Sequence, residues 1–409
     1  MNILHINQSD LAGGASIAGY RLHQGLLKQD IDSRLLVATV KTKSDRVDST
    51  PRWRILEKIT SPITKQLGLH YIDRLATFNL SQHSFFNDAD VINFHNLHHG
   101  EQGYFNYLAI PSLTKNKPAI FTLHDMWSFT GHCSYSYDCD RWKTGCGKCP
   151  YPDVYPAIAR DNTNIEWKLK NWAYHHSNLT IVTPSRWLND RVKQSILQDL
   201  PVHHIPYGID TEVYRPLDSQ ECKSVLGIPQ DKKVLMFAAT NLTEARKGGS
   251  LLLKALQQLP NSLKAETILL TFGNGSEAIA DTVEMAALNL GYISNEYFKT
   301  IAYSAADLFI FPTRADNLPL MLQESMACGT PMVSFKIGGV PDLVRPGITG
   351  YLARPEDTED FCNGIVQLLE DRDRRDRLSK NCRAIALEEY SLELQARRYV
   401  ELYHQVLQN

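Results

Sequence analysis

Two carboxylates, Asp316 and Glu324, stand eight positions apart in residues 307–350. The apolar run Leu308–Phe311 reads as a strand ending at Pro312. A polar loop, 313–317, then turns into a helix that holds Glu324 and closes at Gly329. A second strand, Met332–Phe335, leads to the glycine pair Gly338-Gly339. A helix beginning near Leu318 puts Asp316 at its N-terminal mouth and Glu324 about two turns in. Free N–H groups at such a mouth suit a phosphate, and a carboxylate suits sugar hydroxyls. The chemistry expected is the donor end of a sugar-nucleotide site.

Other reactive side chains fall at strand ends. The run Val91–Phe94 is followed by His95, Asn96, Leu97, His98 and His99, and the strand ending at Leu123 by His124-Asp125. In open α/β sheets ligands bind beyond the strand C-termini, so these positions are well placed for function. Gly13-Gly14 follows the first strand without forming G-x-G-x-x-G, which discounts a dehydrogenase. The pair reads as a tight turn or as a loop facing a phosphate or acceptor; its local signal favours the turn. Cys133, Cys139, Cys146 and Cys149 are half of the eight cysteines. Four thiolates around a structural Zn²⁺, with His132 as a substitute ligand, would fasten an insert at 131–150 that lacks a core of its own. Two disulfides or four free thiols are the rival readings.

The elements that must carry these groups alternate. Strand, glycine loop, helix and strand open the chain, and the second half repeats the rhythm, which is the pattern of parallel α/β sheets. A length of 409 residues suits two domains of about 200. A net charge of −2, with no strongly basic footprint, argues against nucleic acid as the main partner. MNILHINQSD has no basic stretch before a long apolar run, and no run approaches the ~20 apolar residues of a membrane span, so a cytoplasmic protein is expected. Residues 41–78 carry eight basic and four acidic side chains with Trp53, Ile55, Leu56 and Ile59 interleaved. They read as a basic amphipathic element on an anionic membrane face or as a solvated helix covering the sheet; the modest cluster favours the second. The segment 392–407 has Tyr399, Leu402, Tyr403 and Val406 at helical spacing.

With these residues in hand, the chain resembles glycosyltransferase family 4. The most specific match is Asp316 to Glu324 with Ser325-Met326-Ala327-Cys328-Gly329-Thr330-Pro331, similar to the family's Glu-x7-Glu region. Gly13-Gly14-Ala15, Pro184-Ser185, 205–216, Arg246-Lys247-Gly248 and 338–342 resemble its other motifs. His124-Asp125-Met126-Trp127 with the Cys-rich insert resembles sugar transferases of exopolysaccharide, colanic-acid-like and O-antigen assembly. Asp316 departs from the family's Glu by one methylene, Asn241 stands where an Arg is common, and Tyr207 replaces the usual Asn.

The resemblance implies a GT-B architecture of two Rossmann-like, doubly wound domains facing a central cleft. Residues 1–206 would bind the acceptor, 207–390 the nucleotide sugar, and the helix 391–409 would pack back on the first domain. It further implies a retaining, metal-independent hexosyltransferase without a catalytic cofactor. Arg246 and Lys247 would meet the donor diphosphate with Asn317 and Leu318, Glu324 the ribose, and Asp316 a donor-sugar hydroxyl. His124 would orient the donor sugar or acceptor, and Gly14 would allow close approach. A UDP- or GDP-sugar and a saccharide or lipid-linked acceptor are the expected partners, with peripheral contact at the cytoplasmic membrane face left open. Plainer roles exist for each residue singly: Asp316 as a helix cap, Glu324 in a surface ion pair, Arg246 and Lys247 on a solvated face. Their gathering in one α/β half favours the site. A nucleotide-sugar epimerase and a non-catalytic binding subunit are the alternatives.

Overall fold

The computed structural model describes residues 1–98, 103–241, 244–275, 279 and 282–408. His99 of the histidine run, Leu242 and Thr243 of the loop before Arg246, and the side chain of Asn241 lie outside the described residues. The chain forms two compact units, Met1–Tyr207 with Gln395–Asn409, and Gly208–Leu394.

The first unit is a seven-stranded sheet in the order β3-β2-β1-β4-β5-β6-β7. Its strands are β1 (Asn2–Ser9), β2 (Asp32–Thr39), β3 (Val47–Ser49), β4 (Val91–Phe94), β5 (Ala119–Thr122), β6 (Leu179–Thr183) and β7 (Val202–His204). Every pairing is parallel. Alternate residues feed opposite faces, as the period of two requires. Leu4, Ile92, Phe121 and Ile181 enter one core, while Ile3, Val91, Ile120 and Val182 enter the other. That second core is closed by Leu22 and Leu26 of the helix Gly14–Leu27 and by Tyr399, Leu402 and Tyr403 of the helix Leu392–Gln408. The two tyrosine hydroxyls are not left dry. Tyr399 bonds Thr122 at 2.9 Å, and Asn93 Nδ2 donates to Tyr403 at 3.0 Å.

The second unit is a six-stranded parallel sheet in the order β10-β9-β8-β11-β12-β13. Its strands are β8 (Lys233–Asn241), β9 (Thr267–Asn274), β10 (Ala286–Asn289), β11 (Leu308–Phe311), β12 (Met332–Phe335) and β13 (Gly350–Ala353). Leu235, Phe237, Leu308, Ile310, Val333 and Phe335 meet Ile365 and Leu368 of the helix Thr358–Glu370 in its core. Both sheets are thus doubly wound, and each reverses strand order once: between β1 and β4 in the first, and between β8 and β11 in the second.

The insert 131–150 is anchored on the first unit's core through Trp142, and Met126, Trp127 and Phe129, which lead into it, are buried in the same core. Lys170 fixes it as well. Its ammonium donates to the Trp127 and Thr130 carbonyls at 2.7 and 3.0 Å and lies 3.6 Å from the Trp127 ring centroid. One sequence expectation is corrected at the helix Arg54–Gln66. It does not cover the sheet with its isoleucines, because Ile55, Ile59 and Ile63 face outward.

Candidate active site

In the second unit the chemistry gathers at the switch point. The turn Ala245–Lys247 follows β8, and Gly248 closes it with a left-handed φ of 75°. A Cβ at Gly248 would collide with the Pro312 carbonyl at the end of β11, so only glycine lets the basic turn sit there. Arg314 N donates to the Arg246 carbonyl at 2.8 Å and Thr313 Oγ1 does so at 3.2 Å. The loop after β12 pins the other side: Gly339 N donates to the Asp316 carbonyl at 3.1 Å, and Gly338, at φ 51°, has its α-carbon against that same carbonyl.

These backbones bring three charges together. Lys247 Nζ donates to Asp316 Oδ2 at 2.7 Å, and Arg246 Nη1 donates to the same oxygen at 3.2 Å. Arg246 also donates to the Ala315 carbonyl at 2.8 Å and to Glu244 at 2.7 Å. Burial alone would raise the Asp316 carboxyl, but Lys247 and Arg246 outweigh it and hold it below the usual carboxylate range. Burial in turn lowers Lys247, with Asp316 opposing. Two basic side chains thus share one carboxylate oxygen.

The helix after Asp316 is Leu320–Ala327 and does not begin at Leu318. Pro319 is its N-cap, and the residue before a proline is pushed out of the α region. Asp316 is consequently no helix cap, and Glu324 is little more than one turn in. Asn317 and Leu318 form the buried approach to the helix, and the Asn317 N–H donates to Asp316 Oδ1 at 3.2 Å. Glu324 is 3% exposed, which excludes a surface ion pair. Tyr303, on the helix Glu296–Ala305, donates to its Oε2 at 3.1 Å. Tyr303 carries no sequence signal beyond an apolar-face position.

The first unit has its own chain of polar groups at the β1/β4 switch point. His5 Nδ1 meets His95 Nε2 at 2.9 Å, His95 Nδ1 meets His124 Nε2 at 3.1 Å, and His124 Nδ1 meets the Tyr207 hydroxyl at 2.6 Å. Burial lowers all three imidazoles, His5 to about 3 and His124 to about 4, so they are neutral. A neutral imidazole has one N–H and one lone pair. The three bonds can then all be made only if every proton points toward Tyr207 or every proton points away from it. His5 and His95 were missed as a pair because they lie on different strands; their only signal was histidine at a buried strand position and at a strand end. Beside this chain, His98 and Asp125 pair at 2.8 Å. Gly14 opens the helix Gly14–Leu27 after Gly13, whose φ is 90°, and open space surrounds the direction its side chain would take.

The four insert cysteines are reduced and half-buried. His132 Nε2 lies 3.1 Å from Cys149 Sγ, and Gly131 N donates to Cys146 Sγ at 3.2 Å. The donor chemistry suits zinc, but among the described residues no group of three or more His, Cys, Asp or Glu side chains is placed to hold a metal ion.

The family model described as Glycosyltransferase Family 4 matches residues 12–213, and that described as Glycosyl transferases group 1 matches 218–385. A provisionally named colanic acid biosynthesis glycosyl transferase, WcaC of Escherichia coli (strain K12), is 27% identical over 82% of this chain and 83% of its own length. D-inositol 3-phosphate glycosyltransferase 1 of Catenulispora acidiphila is 30% identical over 42% of this chain and 44% of its own. Sucrose-phosphate synthase of Thermosynechococcus elongatus shares the fold over the whole of both chains, with a TM-score of 0.74 at 17% identity. HepE of Anabaena, solved in complex with UDP, does so with a TM-score of 0.68 at 16% identity, over 99% of this chain and all of its own. One family model lies on the first sheet and the other on the second, and the chain belongs to the family 4, group 1 glycosyltransferases of GT-B fold.

Proposed function

We propose that the chain moves a hexose-type sugar from a nucleoside diphosphate sugar to a saccharide or lipid-linked acceptor in cell-surface polysaccharide biosynthesis, with retention at the anomeric carbon. The observation that carries this reading is the Arg246–Lys247–Asp316 cluster at the switch point of the second sheet. The similarity to WcaC supports the polysaccharide role, and HepE, solved with UDP-glucose, supports a UDP-sugar donor.

In this reading Asp316 holds Arg246 and Lys247 in place until a donor arrives. The diphosphate then takes over the two cations, aided by the N–H groups of Asn317 and Leu318. Each charge-assisted bond is worth about 1.5–3 kcal/mol. Their catalytic effect is on the negative charge that grows as the sugar–phosphate bond breaks. No metal ion or other cofactor is assigned to this step. Asp316, released, accepts from a donor-sugar hydroxyl, and Glu324 accepts from the ribose hydroxyls. The acceptor oxygen bonds to the anomeric carbon on the face the phosphate leaves, and its proton passes to the departing phosphate oxygen. His124 reaches a substrate hydroxyl by exchanging the Tyr207 hydroxyl at Nδ1, so orientation of sugar or acceptor costs no net hydrogen bond. Gly14 leaves room for the acceptor or the diphosphate beside its helix. A zinc on Cys133, Cys139, Cys146 and Cys149 would fasten the insert and take no part in transfer. The site of action is the cytoplasmic face of the membrane, with the protein held peripherally.

Melting scans against UDP-, GDP- and ADP-glucose test the reading. A ligand at 100 times its Kd adds about 2.7 kcal/mol of stability. One nucleotide should stand out, and a polysaccharide or lipid-linked acceptor should then yield an α- or β-linked product of the donor's own configuration. Conversion of the donor without acceptor would mark an epimerase, and binding without turnover a non-catalytic subunit; either would refute transfer.

A further inference from the structure

The helix Arg54–Gln66 of the first unit is turned inside out. A surface helix of a globular protein normally buries its apolar stripe and wets its polar one. Here the polar side chains face the body of the unit. Glu57 is buried and accepts from Arg52 Nε at 3.0 Å, with Arg74 Nη1 3.6 Å away. Ser61 donates to Asp73 at 2.7 Å and accepts from Arg74 at 2.8 Å, and Thr60 reaches Asp73 at 3.3 Å.

The apolar side chains face out. Ile55, Ile59 and Ile63 are 81, 63 and 57% exposed, and Leu67, the C-cap, continues the line. At four-residue spacing they form a stripe about 18 Å long. Trp53 is exposed at its N-terminal end. At 100° per residue, Arg54, Lys58 and Lys65 fall together on the flank of the stripe, away from the Glu57–Thr60–Thr64 side, and all three are exposed. The helix surface thus has three sectors: a polar one bonded inward, an apolar one outward, and a basic one between them.

We propose that this helix docks the protein on an anionic lipid surface, with Ile55, Ile59, Ile63 and Leu67 in the acyl boundary and Arg54, Lys58 and Lys65 among the headgroups. The basic flank selects this occupant. A second copy meeting the stripe face to face would bring its own basic flank against this one, whereas an anionic bilayer satisfies the stripe and the flank together. Trp53 suits the headgroup level, where an amphipathic ring has one apolar and one wet side. The contact is peripheral, since no helix among the described residues is long and apolar enough to cross a membrane. Most interfacial helices must fold as they bind. This one is already folded and aimed, because Asp73, Arg74 and Arg52 hold its polar side. The inference goes beyond the transfer reaction and rests on this helix alone.

Flotation of the full chain with phosphatidylcholine vesicles, with and without phosphatidylglycerol, tests it. Binding should require the anionic lipid and weaken as salt rises. Ile59→Ser and Ile55→Ser should each lower partitioning tenfold or more. Their melting temperatures should not fall, since neither side chain packs on the protein. Lys58→Glu should lose the preference for anionic vesicles, while Lys193→Glu, at the exposed C-cap of the helix Arg186–Val192, should not. Absence of wild-type binding, or equal binding by the isoleucine variants, overturns the proposal. So does a dimer in sedimentation velocity that Ile59→Ser dissociates, which would assign the stripe to a second copy.

Discussion

Replacing Lys247 by methionine separates the structural and catalytic roles of the charge cluster. Methionine keeps the length and apolar stem and removes the ammonium, which lies 2.7 Å from Asp316 Oδ2. Breaking one side of a buried ion pair costs about 3–5 kcal/mol. Arg246 remains on the same oxygen at 3.2 Å, so a smaller loss, about 2 kcal/mol, is expected here. Activity should fall by a different amount. If the ammonium moves to the diphosphate, the lost charge-assisted bond of about 1.5–3 kcal/mol lowers kcat/KM about 10- to 150-fold. The double variant Lys247→Met/Asp316→Asn makes the distinction. Neither group is then left charged without its partner, so most of the stability should return while activity stays low. The assays are thermal unfolding and steady-state transfer with the donor found by the melting scan. Full activity in Lys247→Met, or recovery of activity with stability in the double variant, would show that the pair only holds two loops together.

Glu324→Gln keeps the shape of a side chain buried beside Tyr303 but weakens its acceptors, so nucleotide binding should loosen about tenfold or more; unchanged binding of the bare nucleoside diphosphate would remove Glu324 from the ribose. Acid should destabilise the first unit. Burial is the main cause that lowers His5 and His70 to about 3 and His23 and His124 to about 4, below the usual 6.5. The unfolded chain then binds protons between about pH 6.5 and 4 that the folded chain refuses, so stability falls as pH drops, by about 1.4 kcal/mol per unit for each histidine. The melting temperature should be level near pH 7 and drop steeply from about pH 6 to 4; a flat profile would mean that these imidazoles are hydrated. For the insert, metal analysis of protein purified without chelator checks the expectation of a structural zinc: about one zinc per chain supports it, and a value near zero refutes it.

The strands 91–94, 308–311 and 332–335 were legible residue for residue because they are central and buried on both faces, which leaves an unbroken apolar run. The strands that escaped notice, Val47–Ser49, Ala286–Asn289 and Gly350–Ala353, all lie at sheet edges and are short and partly exposed. At the site, the spacing of Asp316 and Glu324 pointed to sugar-nucleotide chemistry, but the helix start was misjudged by two residues because Pro319 was given no weight. The family resemblance alone put Lys247 and Asp316 at one site; their direct ion pair could not be read from spacing, since 69 residues separate them and the adjacency of β8 and β11 joins them. Residues 41–78 likewise read as holding an amphipathic element, but neither the bounds of its helix, Arg54–Gln66, nor the side that faces out was legible. That side is decided by Asp73 and Arg74, on a different segment.

The first unit is discontinuous: its sheet is made from residues up to Tyr207, yet part of its second core is Tyr399, Leu402 and Tyr403. During synthesis, Asn93 and Thr122 wait for hydroxyl partners that leave the ribosome some 280 residues after Thr122, at about 14–56 s later for typical elongation speeds. The second unit, being one uninterrupted stretch from Gly208 to Leu394, has no such delay. The later-made half can therefore reach its native packing before the earlier-made half has all its parts. A nonsense codon near position 395 would spare the sheet of the second unit and strike the sheet whose strands were translated first.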